Sequence, residues 1–352
     1  MDPVECLAEA GHNSAYVLWS ALDGYFGSDS SSGYQIACTE ATLPQLAGMP
    51  GSLEFPGSEW ADAIWYPMGR ESGVMLRCVD ALDVAPPSTV IQGRLLRMPG
   101  KAWYRDPFGC YPLLRNSQLS VDFEDEGSWL DAAEIAIYLS RYDYQLPEKG
   151  FGPKRFTGLK LLPGEQRMLL MLMLGGEHPG RGLRFLFDCG FIEEHWPLFL
   201  SMARTHQSKD FHPEGNVWDH TLATLVHRKK ADSELGLALL LHDCGKPSSH
   251  RSEGNQFHRH AQIGAAAAVR FLRSLEFDEE VIGRIHYLVA NHMVPSFLSA
   301  SPPPSIAEVL DHELFPLLLE LFRCDISSSF RGPEPYYQAC KLYRNWKRKR
   351  RV

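Results

Sequence analysis

SELGLALLLHDCGKP (233–247) is the stretch from which the rest of this chain can be read. From Leu235 to Leu241 it is apolar on every side, so the pattern predicts a helix buried all round, stopped by Gly245 and Pro247. The run nevertheless ends in two adjacent titratable residues, His242 and Asp243. Burying both unpaired is costly, because leaving water penalises polar and charged groups. A divalent cation relieves both demands, since neutral imidazole nitrogen and carboxylate oxygen are good ligands.

Working outward, further candidate ligands sit at helix positions. His220 lies 22 residues upstream of His242, on the predicted helix NVWDHTLATLVHRK (216–229), whose Trp218, Leu222 and Leu225 share a face. Asp325 stands in LLLELFRCDISS (317–328), among Leu317, Leu318, Leu321 and Phe322. His260 opens HAQIGAAAAVRFLRSL (260–275), whose small residues allow close packing, and His292 closes DEEVIGRIHYLVANHM (278–293), which has acids in its first turn. Ser305 with Glu308 offers a capping box for the last helical stretch. Eleven of the 14 histidines fall between His206 and His312, so the candidate chemistry concentrates in that third. A lone helical histidine is usually satisfied or exposed, and a lone aspartate near a helix end usually caps it. The joint pattern points elsewhere, because antiparallel helices can bring their ends to one place.

The remainder frames this third. At 352 residues the length suggests two or three domains, and 44% hydrophobic with 22% charged residues is ordinary for a globular chain. The net charge of -8 argues against a surface coated in nucleic acid, leaving room only for a local basic patch such as WKRKRRV (346–352). That tail reads either as a solvated, frayed end or as a phosphate contact. No apolar run approaches 18 residues, and the acidic start MDPVECLAEA lacks a positive n-region, so neither membrane span nor signal peptide is expected and the expected location is cytoplasmic. The eight cysteines show no zinc-type spacing and read as free thiols. Residues 1 to about 145 alternate short β-prone pieces (33–40, 74–82, 88–98) with helical patterns at 13–26 and 129–142. From Pro163 the pattern turns helical, at 164–175 and 181–190. The predicted class is α+β.

The order His220, His242-Asp243, Asp325 resembles the H…HD…D ligand order of the HD metal-dependent phosphohydrolase superfamily. HPEGNVWDHTL (212–222), LLLHDCGKP (239–247), FHRHAQIGA (257–265), VANHM (289–293) and LFRCD (321–325) resemble, in order, segments of the HD domain of bacterial tRNA nucleotidyltransferases, the CCA-adding enzymes and poly(A) polymerase family. GEQRMLLMLMLGGEHPGRGLRFLFDCGFIEEHWP (164–197) is similar to that family's neck. DPFGCYPLL (106–114) looks like its DPFGG segment, and YQIACTEATLPQL (34–46) like the segment around its metal carboxylates. There the chemistry departs: Tyr34-Gln35-Ile36 stands in place of D-x-D, no G-x-x-R-D follows Gly24 or Gly27, and FEDEGSWLD (123–131) keeps Glu124-Asp125 but has Ser128 and Asp131 in place of the nucleotide-recognising arginines.

The resemblance implies a degenerate nucleotidyltransferase-like α/β head (1–149), an all-α neck (150–208), an all-α HD domain (209–335) and a basic tail (336–352). It implies one or two divalent ions (manganese, magnesium, nickel or iron) on His220, His242, Asp243 and Asp325, with His260 and His292 as the extra ligands of two-metal members. Asp243 and Lys246 are the candidate catalytic residues, Lys246 as a point charge on phosphate or else a helix-end lysine, and His258 and Arg259 are candidates for the mouth of the site. The expected activity is metal-dependent hydrolysis of a nucleotide, a 2′,3′-cyclic phosphate or another phosphoester. The alternatives are an RNA-binding or regulatory protein that contacts RNA or tRNA through the basic tail, and an active tRNA nucleotidyltransferase, which the missing D-x-D disfavours.

Overall fold

The architecture is that of a computed structural model, which describes residues 2–27, 34–69, 73–100, 103–122, 126–147, 155–207, 215–251, 257–329 and 332–350. The chain divides into two compact units, Met1–Met173 and Leu174–Val352.

The first unit is built on a sheet. Its elements are α1 (Pro3–Glu9), β1 (Ser14–Tyr16), α2 (Leu18–Phe26), β2 (Gln35–Thr39), α3 (Leu43–Ala47), β3 (Ser52–Glu54), β4 (Ala63–Tyr66), β5 (Val74–Cys78), β6 (Leu96–Arg97), β7 (Tyr104–Arg105), β8 (Glu126–Ser128), α4 (Trp129–Arg141) and β9 (Arg155–Thr157), followed by α5 (Pro163–Leu174). Seven strands pair in the order β3-β4-β5-β2-β1-β6-β7, with β2 and β5 parallel and the other neighbours antiparallel. Val4, Tyr16, Ala37, Trp65, Val74 and Leu76 pack into one apolar cluster on this sheet. Helices α2 and α4 are locked by a buried two-toothed pair, Arg141 donating to both oxygens of Asp23 at 3.2 and 2.7 Å.

Two expectations for this unit are corrected. The stretch 13–26 is not one helix: Ser14–Tyr16 is a strand, and the helix starts at Leu18, whose φ of 53° breaks the path. The stretch 88–98 is not a strand throughout. Ile91–Arg94 forms a 3-10 turn, and only Leu96–Arg97 joins the sheet. The turn brings Gly93 under the Tyr138 hydroxyl, where a Cβ would sit 2.2 Å from that oxygen.

The second unit is mainly helical: α6 (Pro179–Asp188), α7 (Phe191–His195), α8 (Pro197–Ala203), α9 (Val217–Val226), α10 (Ser233–Leu241), the short strands β10 (His250–Arg251) and β11 (Phe257–His258), α11 (His260–Ser274), α12 (Glu279–Asn291), α13 (Pro304–Asp311), α14 (Phe315–Ser327) and α15 (Glu334–Lys349). Helix α10 is buried from Leu235 to Leu241, as an all-round apolar run requires. Asp232 caps it by accepting from the Leu235 N–H, and Asn216 caps α9 through Asp219 N–H.

The proposed capping box of Ser305 and Glu308 is corrected: Pro303 is the N-cap and Ser305 lies inside α13. A proline pre-set for the first helical position starts the helix earlier. Nor is the basic end frayed as far as Arg350. Lys347, Arg348 and Lys349 form the last turn of α15, where cations complement the helix dipole, and Arg350 pairs with Asp311. Arg351 of that stretch lies outside the described residues, as do Glu124 and Asp125. All eight cysteines are free thiols. No helix among the described residues is long and apolar enough to cross a membrane.

Candidate metal centre

Six side chains from five segments converge in the second unit. His220 projects from α9, His242 and Asp243 follow the buried end of α10, His260 begins α11, His292 follows α12, and Asp325 is near the end of α14. They form two groups, His220–His242–Asp325 and Asp243–His260–His292, each with donor atoms within 4.8 Å of one another.

Asp243 stands between the groups. Its Oδ2 lies 3.2 Å from His242 Nε2 and 3.9 Å from His220 Nε2. Its Oδ1 lies 3.5 Å from His260 Nε2 and 3.8 Å from His292 Nε2. Asp325 Oδ1 lies 3.0 Å from His220 Nε2 and 3.8 Å from His242 Nε2.

The ring nitrogens facing away from the centre are all engaged. Nδ1 of His242, His260 and His292 contacts the carbonyl of Leu239, Phe257 and Val289 at 2.6, 2.8 and 2.8 Å. A carbonyl only accepts, so each Nδ1 carries the proton and each Nε2 presents a lone pair inward. His220 is set likewise by a different route. Ser328 donates its hydroxyl to the Asp325 carbonyl at 2.7 Å and so receives the His220 Nδ1–H at 3.3 Å.

These tautomers leave the inner nitrogens without donors to one another. His260 Nε2 and His292 Nε2 approach to 3.1 Å. Two lone pairs at that distance repel unless a proton or metal ion lies between them, and nitrogens sharing a tetrahedral ion stand about 3.3 Å apart. His242 Nε2 is buried without a hydrogen-bond partner, its approach to Asp243 being misaligned. A buried polar atom left so is costly. The donor set, the tautomers and this orphaned nitrogen fit one divalent ion in each group.

The electrostatics agree. Burial pushes Asp243 up, but the neighbouring His242 and the Lys246 ammonium outweigh it and hold the carboxyl well below the usual range. Asp325 is also held low, burial opposed by the His220 ring, whose Nε2 lies 3.0 Å away, and by His242. Burial and neighbouring His242 push His292 down to about 4, so its imidazole is neutral near pH 7.

Lys246 does not stand as a lone charge facing the opening. Its ammonium lies 2.5 Å from Asp243 Oδ2 and 2.6 Å from Gln207 Oε1, and it is 8% exposed. His258 and Arg259 are exposed and line an adjoining groove. A smaller cavity of about 100 Å³ reaches the ligands, lined by Asp243, Lys246, His260, His292 and Asp325 among others. Ser328 and Gln207 were not singled out by sequence, since nothing in their type or spacing marks them as supports for a ring or an ammonium.

The described residues of the first unit hold no comparable centre. Among them no three histidine, cysteine or carboxylate ligands converge. At the expected D-x-D place, the Tyr34 carbonyl receives the Trp19 indole N–H at 2.8 Å and the Ile36 N–H is taken by Ser20. Ser128 and Asp131, where the resemblance expects arginines, cap α4 reciprocally: Ser128 N–H donates to Asp131 at 2.7 Å and Asp131 N–H to Ser128 at 3.1 Å.

Residues 217–312 match the HD domain family. The chain is 32% identical over 142 residues to a CC-adding tRNA nucleotidyltransferase of Thermus thermophilus, covering 38% of this chain and 32% of that protein. It is 26% identical over 124 residues to a multifunctional CCA protein of Nitrosococcus oceani, covering 33% of this chain and 30% of that protein. The match thus spans about a third of these relatives' length. The Bacillus stearothermophilus CCA-adding enzyme, solved in complex with CTP, shares the fold over 99% of this chain and 83% of that one, with a TM-score of 0.54 at 15% identity. Residues 217–312 are therefore an HD domain, set in an α+β chain whose sequence relatives and fold are those of CCA-adding enzymes.

Proposed function

We propose that the chain is a metal-dependent HD-type phosphohydrolase acting on a nucleotide, a 2′,3′-cyclic phosphate or another phosphoester. The observation that carries the reading is the inward turn of four imidazole Nε2 atoms on two carboxylates, with Asp243 offering one oxygen to each group. His220, His242, Asp243 and Asp325 would hold one ion, and Asp243, His260 and His292 a second. Manganese, magnesium, nickel and iron all suit these nitrogen and oxygen ligands. A divalent ion here supplies charge neutralisation at the phosphoryl group and a lowered pKa for water.

The chain's own residues do the rest. The Leu239, Phe257 and Val289 carbonyls and Ser328 fix the ring orientations before substrate arrives. Asp243 accepts a hydrogen bond from the attacking water, and Lys246, braced by Gln207, keeps that carboxylate ionised and in place. The cavity of about 100 Å³ exceeds one water's share of about 30 Å³, so water has room beside the ligands.

Nucleotide addition is disfavoured by Tyr34-Gln35-Ile36 and by the commitment of Ser128 and Asp131 to the cap of α4. We assign the parts as a degenerate head (1–149), neck (150–208), HD domain (209–335) and tail (336–352). The proposed partner is a phosphorylated small molecule or nucleotide. RNA is a second candidate through the basic end of α15, because the names of both relatives refer to tRNA or its CCA end.

The test is metal analysis of the purified chain with assays on bis-p-nitrophenyl phosphate and 2′,3′-cyclic AMP. One or two ions per chain and turnover lost in Asp243→Ala are expected. A metal-replete chain that turns over neither ester, yet binds RNA with steep salt dependence, would favour the binding protein instead. Incorporation of CTP or ATP into tRNA lacking its 3′ end would restore the nucleotidyltransferase reading.

A further inference from the structure

A groove of about 830 Å³ opens in the second unit, lined by α6, α9 and the segment that follows α9. It shares no residue with the candidate metal ligands or with the cavity that reaches them.

The charge of this groove is one-sided. Arg181, Arg184, Arg228, Lys229 and Lys230 line it against Glu177 and Asp219, in a chain whose net charge is -8. Asp219 is already paired with Arg184. Lys229 reaches Glu320 at 3.3 Å, but its own side chain is 63% exposed. Lys230 is exposed. Arg228 directs its donors to main-chain carbonyls, those of Leu174 at 2.5 Å, Gly176 at 2.7 Å and Asp232 at 3.0 Å. These bonds tie the segment before α6 to the loop after α9, so the cationic wall is in place before any ligand arrives.

Along α9 the same groove is apolar. Ala223 and Val226 stand three residues apart and so share a helix face. Val226 is 75% exposed. Pro179 and Gly180 of α6 lie beside them, and an added Cβ on Gly180 would touch the Leu222 carbonyl at 3.7 Å. A phosphate backbone gains from the cations and nothing from an exposed valine. A purely apolar partner would have to strip water from the cations without pairing them. A chain that carries carboxylates and apolar side chains on two sides of one helix satisfies both features.

The geometry points to an acidic, amphipathic helical segment of a partner protein as the occupant of this groove, its apolar side on Ala223 and Val226 and its carboxylates toward Arg181, Lys229 and Lys230. The assignment goes beyond the hydrolase reading and does not depend on it.

The experiment uses the metal-loaded full chain and a fluorescent synthetic peptide with leucine on one helical face and glutamate on the other, followed by anisotropy at about 0.15 M salt. The peptide binds saturably. Lys229→Glu combined with Lys230→Glu weakens it at least about tenfold, and Val226→Ser weakens it about threefold or more. Metal content, equal in the three proteins, reports an intact fold. Absence of saturable binding to the unaltered chain overturns the inference, and so does equal binding in the charge-reversed variant. Equal affinity for a peptide with serine in place of leucine also overturns it, because the groove then reads charge alone. A duplex RNA that displaces the peptide, binds more than about tenfold tighter and loses that affinity in the charge-reversed variant reassigns the groove to nucleic acid and overturns the protein partner.

Discussion

Gly245 and Gly264 meet backbone to backbone. A Cβ on Gly245 would lie 2.3 Å from the Gly264 nitrogen and 2.1 Å from the His260 carbonyl oxygen. Cys244, next in line, reaches the Gly264 carbonyl with its thiol at 3.3 Å. This contact seats the turn after α10 on the first turns of α11 and so fixes how far Asp243 stands from His260.

Gly245→Ala therefore forces backbone apart rather than a flexible side chain. We expect a loss of stability of about 2 kcal/mol or more, with weaker metal retention. Chemical denaturation and metal analysis of the same sample check both. An unchanged midpoint would mean that the turn and α11 separate freely.

Ser328→Ala isolates the support of one ring. The variant loses the hydroxyl that receives His220 Nδ1–H and leaves every candidate ligand in place. Metal affinity should fall about 10–100-fold, as for other groups that orient a ligand. Metal titration of the stripped protein measures it. A comparison with His260→Ala separates the groups, since that variant should drop from two ions to one.

These residues also mark how far the sequence could be read. The HD pair was legible because α10 is apolar on all sides and leaves no ordinary reason for His242 and Asp243 at its end. Asp325 stood out for the same reason on α14. The strand Ser14–Tyr16 did not, because it is buried on both faces and only three residues long, so no alternation could show. The turn at Ile91–Arg94 depends on Gly93 fitting under Tyr138, a contact 45 positions away in the chain, and no local pattern encodes it. Ser328 and Gln207 act through partners 108 and 39 positions distant, which periodicity cannot reveal.

Lys246→Met tests the charge balance at Asp243. In metal-free protein the substitution leaves a buried carboxylate without its 2.5 Å counter-ion. Removing one partner of such a pair costs about 3–5 kcal/mol. Saturating manganese should recover part of that loss, because the cation restores positive charge beside the carboxylate. Denaturation midpoints with and without the metal decide it. Equal losses under both conditions would argue that Lys246 matters only for packing.

Glu134 carries a pH dependence of its own in the first unit, remote in sequence from the metal ligands. It is buried on α4, where its Oε1 is hydrogen-bonded to the Ser88 hydroxyl, which also lies 2.7 Å from the Val90 carbonyl. Burial pushes its carboxyl up to about 7, against that hydrogen bond, from an ordinary value of 4.5. The folded state thus holds the proton more tightly than the unfolded chain does. Its stabilising contribution is complete below pH ~4.5 and is lost as pH rises through about 7, in total about 3 kcal/mol. Glu134→Gln keeps a neutral group of similar shape and removes the titration. The variant should match the unaltered chain near pH 5 and exceed it by about 3 kcal/mol near pH 8. Denaturation at the two pH values measures the gap, and a gap that does not widen with pH would show that Glu134 is already ionised in the folded protein.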